Sequence, residues 1–154
     1  MAFDPGIIES SKLRQLYDFW DGQRAGRLAP QRADIDPLVL PRDLIGQVFL
    51  YEVERAEPDG PPQDYLMRLF GTYLVEMFGR DLTGLRFDQI FQGPDAPAIR
   101  AEYDHAASSA EPVCSSLHGG WAGRSYRRYE RLLLPLSEDD RRIDRLFGGA
   151  IAET

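Results

Sequence analysis

The sequence is poor in the residues that covalent architecture and most site chemistry require. It has one cysteine, Cys114, so an internal disulfide is impossible and a reducing compartment is the natural setting. It has two histidines, His105 and His118, 13 positions apart, and with a lone cysteine they match no zinc spacing, so no metal site is expected. Long apolar runs are missing too: stretches such as Leu132 to Leu134 fall far short of the roughly 20 residues that a spanning helix needs. An excess of positive charge is also lacking. Against 25 Asp and Glu stand 18 Lys and Arg, and the resulting formal charge of −7 repels phosphate backbones and anionic lipid surfaces. Neither nucleic acid nor a membrane is an expected partner. Met1 to Ser10 lacks the basic and apolar stretches of an export signal, which adds to the expectation of a cytoplasmic location.

Familiar catalytic signatures are absent as well. Ser108, Ser109, Ser115 and Ser116 belong to no nucleophile elbow and suit helix ends and strand surfaces. The Gly119 to Gly123 stretch lacks the strand-loop-helix setting and the lysine of a phosphate loop, so a hairpin turn is predicted there. What remains is an ordinary globular composition, 43% hydrophobic, in a chain of 154 residues that suits one compact core.

The patterns that are present define an order of elements. Leu13, Leu16, Tyr17 and Trp20 fall on one helical stripe, with Ser10 or Ser11 placed to cap its start. Pro30, Pro37 and Pro41 make Ala29 to Arg42 a connector. Ile45 to Val53 and Tyr65 to Phe70 are predicted strands, separated by the turn-forming residues from Ala56 to Gln63. Thr72 to Phe91, punctuated by glycines, suits several short helices, and Ala96 to Ala110 a longer one that Pro112 stops. Pro112 to Leu117, Ser125 to Leu136 and Ile143 to Ala152 complete three consecutive antiparallel strands. Two strands, a helical excursion and three more strands make an α+β plan, with residues 1–42 as helix and connector and residues 43–154 as the domain proper.

The run Tyr65-Leu66-Met67-Arg68-Leu69-Phe70-Gly71-Thr72, followed by Phe78-Gly79-Arg80-Asp81-Leu82-Thr83-Gly84, resembles the strand-to-helix passage of PAS domains. The likeness extends to short stand-alone bacterial PAS proteins. It takes in the aromatic opening helix, the Ile35-Asp36-Pro37 and Leu40-Pro41 connector and the late strand Tyr129 to Leu136. The resemblance implies a five-stranded antiparallel sheet, short helices on one face enclosing a core cavity, and a regulatory role: binding a small ligand, pairing with another protein, or both. Fold alone does not choose between these.

Within that frame Tyr73, Met77, Phe78, Phe91, Tyr103 and Trp121 are the candidate cavity liners, because large side chains converge there from the helical belt and a hairpin turn. The stripe of Leu13, Leu16, Tyr17 and Trp20 needs a cover, either the domain's own surface or a second copy of the helix, and the second, giving a homodimer, is the expected one. A flavin photosensor of this family would carry a cysteine where this chain has Leu82, after Gly79-Arg80-Asp81, so flavin is not expected. Haem is the alternative cofactor, with His105 as axial ligand by resemblance. An enzyme of the same shape would need His105 with Asp104 or Glu102, yet adjacent helical residues diverge by about 100° and do not converge. Arg124, Arg127, Arg128 and Arg131, interleaved with Tyr126 and Tyr129, are expected on a solvated sheet face or a protein contact. The facing of Arg68 stays open: inward, it would need Glu130 or a ligand carboxylate as partner. No kinase, cyclase or helix-turn-helix segment is present, so any signal is expected to leave through an unidentified protein partner.

Overall fold

A computed structural model describes residues 2–36, 38–119 and 124–153, the side chains of 124–127 excepted. Its nine main elements are α1 (Ser11–Arg24), β1 (Val48–Glu54), β2 (Asp64–Phe70), α2 (Thr72–Phe78), α3 (Phe87–Ile90), α4 (Ala96–Ser109), β3 (Val113–Gly119), β4 (Arg124–Leu136) and β5 (Arg145–Ala152). The strands form one antiparallel sheet in the order β2-β1-β5-β4-β3, so the first hairpin and the last three strands meet at the β1–β5 pair. This is the α+β plan the element order predicts.

Helices α2, α3 and α4 cover one face of the sheet, here called inner. The other face is covered by α1 and by the connector, whose Ile35 and Leu40 pack near Val48, Leu50 and Phe147. The double cover explains why Val48 to Tyr51 are buried on both parities. Residues 1–42 therefore contribute to the same hydrophobic core as the rest of the chain.

Helix α1 is fastened at both ends to β4. The amides of Glu9 and Ser10 donate to Glu130 Oε2 and Oε1, both at 2.8 Å, and the Trp20 indole Nε1 donates to the Pro135 carbonyl at 2.8 Å. Ser10 caps the first turn by accepting from the Leu13 amide. Between these anchors Leu13 and Leu16 lie against Gly149 of β5, where an added Cβ would stand 3.2 Å and 3.0 Å from their Cδ2 atoms. Leu13, Leu16 and Trp20 are buried, and Tyr17 is partly covered by Phe3 and Trp20. This corrects the expected dimer surface: the cover of the stripe is the protein's own sheet, which seats it at no cost in association entropy.

The first hairpin begins later than expected, and it settles the facing of Arg68. The strand expected from Ile45 begins at Val48, because Arg42–Gln47 forms a 3-10 turn in which the Leu44 amide donates to the Pro41 carbonyl. In β2, Leu69 pairs with Leu50 and Met67 with Tyr51, which leaves Arg68 as the extra residue of a bulge. The bulge turns Arg68 outward to Glu52, 3.4 Å away, and brings Met67 and Phe70 to the same inner face despite their odd spacing.

Candidate functional site

The inner face and its helical belt enclose a cavity of about 20 Å³, room for about one water molecule. Met67, Leu74, Leu82 and Ala150 supply aliphatic wall, while Phe49, Tyr51, Phe70, Phe78, Phe91, Tyr103 and Tyr129 supply aromatic wall. Tyr103 of α4 is the hub of the ring cluster, edge-on to Tyr51 at 5.1 Å, Tyr65 at 5.3 Å and Phe87 at 5.3 Å between centroids. Its hydroxyl donates to the Tyr51 hydroxyl at 2.9 Å, and burial pushes its pKa up to about 12. Tyr65 donates outward to Asp104, 2.6 Å away, so α4 is tied to β2 as well as to β1.

One wall is charged. Arg131 of β4 is 2% exposed and lies among these rings, its guanidinium carbon 5.5 Å from the Tyr103 centroid. Nη2 donates to Glu102 Oε1 at 2.6 Å, and the Ser115 hydroxyl donates to the other Glu102 oxygen. Nε and Nη1 have no hydrogen-bond partner among the described residues. Burial works against the guanidinium charge, but Tyr103 and Glu102 outweigh it and hold its pKa above the ordinary value. The group is a protonated cation inside the core with donors to spare.

The predicted site residues divide. Phe78, Phe91 and Tyr103 line the cavity; Met77 is buried outside its lining, and Tyr73 also lies outside it, its hydroxyl accepting from the Ala152 amide at 3.3 Å. Trp121 lies outside the described residues, as do the side chains of Arg124, Tyr126 and Arg127. Tyr129 and Arg131 are buried, not solvated, because β4 is a central strand whose inner face lies under α4. Arg128 is exposed and faces Glu153.

His105 is turned away from the cavity: its side chain is 55% exposed and faces Glu111 at 3.6 Å. The axial donor of the haem alternative is thus on the wrong side of α4. Asp104 accepts from Tyr65 and Glu102 pairs with Arg131, so the three acid–base candidates are engaged in separate places. Among the described residues no group of three metal-ligating side chains converges.

Arg131 is the site residue that sequence reasoning missed, and a signal for it exists. Leu132, Leu133, Leu134 and Leu136 are apolar on both parities, which marks a strand covered on both faces. The two charges just before that run, Glu130 and Arg131, must then be buried on opposite faces and each must find polar partners. Glu130 takes the α1 amides on the outer face; Arg131 takes Glu102 on the inner one.

Cys114 lies on the outer face with its thiol 3.5 Å from Glu130 Oε2, and burial followed by the nearby carboxylate pushes its pKa up to about 12. At pH 8 the group is a thiol, not a thiolate. Reaction with a disulfide reagent such as DTNB is expected to be at least tenfold slower in the native protein than in urea; equal rates would contradict this placement.

A five-stranded antiparallel sheet with short helices over one face defines an α+β module. The family model described as PAS domain matches residues 8–151, and the chain belongs to that family. That span includes α1 as well as the sheet and belt. Among solved structures, the Rhodobacter sphaeroides LOV protein is similar with a TM-score of 0.52 at 16% identity over 69% of this chain. This chain spans 58% of the length of that protein. A light-oxygen-voltage domain from work with a flavin analogue matches at 0.51 and 11% identity, covering 73% of this chain and 81% of that one. Likeness at such identities concerns the fold. No curated protein matches the chain.

The residues here do not fit a flavin. Leu82 stands where the photoreactive cysteine is expected, and Cys114 is on the opposite face of the sheet.

Proposed function

We propose that the chain is a cytoplasmic sensory and protein-interaction module that takes a small apolar ligand into its interior cavity and passes its state to a partner protein. The observation that supports this most directly is the cavity itself, where β1, β2, β4, β5, α2 and α4 all contribute wall. A ligand entering there must spread the belt from the sheet, because the space between them holds about one water. Binding is thereby coupled to the positions of α2 and α4, which is what a sensor requires.

The family relation supports a regulatory role, and the lone, partly buried cysteine suits a reducing compartment. No helix among the described residues is long and apolar enough to cross a membrane.

Titration with small apolar fragments tests the reading by methyl NMR. Shifts are expected to concentrate on Met67, Leu74 and Leu82 around the cavity and to spare Leu132 and Leu134 on the outer face. A panel at millimolar concentration that moves none of the three cavity methyls, from a protein whose native mass shows no co-purified species, would overturn it.

A further inference from the structure

We infer that the cavity selects a ligand with an anionic head, a small apolar monocarboxylate, and that Arg131 is the residue that binds the head. The inference rests on the cavity reading above and adds the ligand's chemical class.

An apolar wall by itself asks only for hydrocarbon. A buried cation whose donors are unmet asks for something more. Arg131 spends Nη2 on Glu102 and leaves Nε and Nη1 unpaired, although each forms with Nη2 one of the two forked edges that match a carboxylate. Buried polar groups in folded proteins are nearly always paired, so two orphaned donors on one side chain indicate a missing partner. The lining says where the partner goes, since Arg131 borders the cavity together with Tyr51, Tyr103 and Phe91.

Charge says what kind of partner it is. Glu102 neutralises Arg131 only from the side of α4, with 28% of its own side chain in solvent and a second tie to Ser115. It can therefore give up part of its hold on Arg131 without becoming a buried, unpaired carboxylate. A ligand carboxylate has no such retreat: inside the cavity it keeps its charge only next to Arg131. A neutral alcohol of the same carbon skeleton gains the same apolar contacts and a weaker hydrogen bond. Arg131 thus acts as a selectivity element, with Glu102 as the internal competitor that occupies it in the closed protein.

The test is a methyl NMR titration with butanoate, hexanoate and phenylacetate, each beside its matched alcohol: butan-1-ol, hexan-1-ol and 2-phenylethanol. At least one acid is expected to bind with a Kd about tenfold or more below that of its alcohol, the usual advantage of a charge-assisted hydrogen bond. Arg131→Met should abolish that preference, raising the acid's Kd about tenfold or more and the alcohol's by much less, since the alcohol loses only a neutral hydrogen bond. Glu102→Gln should strengthen acid binding severalfold, because the competing carboxylate is gone; this variant keeps the arginine and covers the case in which Arg131→Met does not fold.

Without ligand, Arg131→Met should melt no lower than the parent, because it removes two unpaired buried donors. A merely structural arginine would show the reverse on both counts, with lowered melting in Arg131→Met and no gain in Glu102→Gln. Acid and alcohol binding equally well, or acid preference persisting in Arg131→Met, overturns the anionic head while the cavity reading stands. Binding of neither acids nor alcohols overturns both.

Discussion

Trp20→Ala is expected to lower the unfolding free energy by about 3–5 kcal/mol, at the upper end of what truncation of a buried aromatic costs. Trp20 is fully buried, its indole donates to the Pro135 carbonyl at 2.8 Å, and Arg24 stacks over its outer side at 4.9 Å. Truncation removes the apolar contact and leaves a central-strand carbonyl without its donor. Urea unfolding followed by circular dichroism measures the loss. The result also tests the assignment of the α1 stripe. If the loss is under about 1 kcal/mol, α1 is not seated on the sheet in solution, and a second copy becomes the natural cover for Leu13 and Leu16. A large loss with a monomeric mass by light scattering fits the packing described here.

Gly148→Ala should be as disruptive by a different route. A Cβ at this position would lie 2.0 Å from the Leu132 carbonyl oxygen and 2.8 Å from Phe49 Cζ. The first of these is backbone in the neighbouring central strand and cannot swing aside, so the β4–β5 pairing must open or shift. The expected loss is about 3 kcal/mol or more, the severe end of overpacking. Gly149→Ala meets Leu16 Cδ2 and the Gln47 carbonyl at 3.0 Å, where a flexible methyl can yield, and should cost about 1 kcal/mol. Gly22→Ala is the control: it is an exposed site inside α1 with nothing within 4 Å, and alanine there should stabilise by roughly 0.5–1 kcal/mol. Equal melting temperatures for Gly148→Ala and the control would contradict the strand register at β5.

Most of the fold was legible because its signals are local. The 3.6-residue rhythm of Leu13 to Trp20, the prolines of the connector and the glycines of Thr72 to Phe91 each report their own segment, and their order yields the sheet with its helical excursion. The failures come where a neighbour in space decides. Strand parity leaves the facing of Arg68 open, and it is decided by a bulge that the pairing of Leu69 and Met67 with consecutive residues of β1 creates. Amphipathicity shows that the α1 stripe needs a cover and cannot say whose. The cavity was half legible: Phe78, Phe91 and Tyr103 announce themselves as large side chains in the belt, whereas Arg131 looks like one more cation in a basic stretch until the double cover of β4 is taken into account.

Glu130 and Arg131 stand back to back across the sheet, the carboxylate under the first amides of α1 and the guanidinium among the rings of the belt. Transposing this dipeptide would change neither the amino-acid inventory nor the isoelectric point. It would nevertheless press a cation against two N–H groups that already point positive, and set an anion facing the electron-rich planes of tyrosines. The order of two letters carries information that every bulk property of the polypeptide discards.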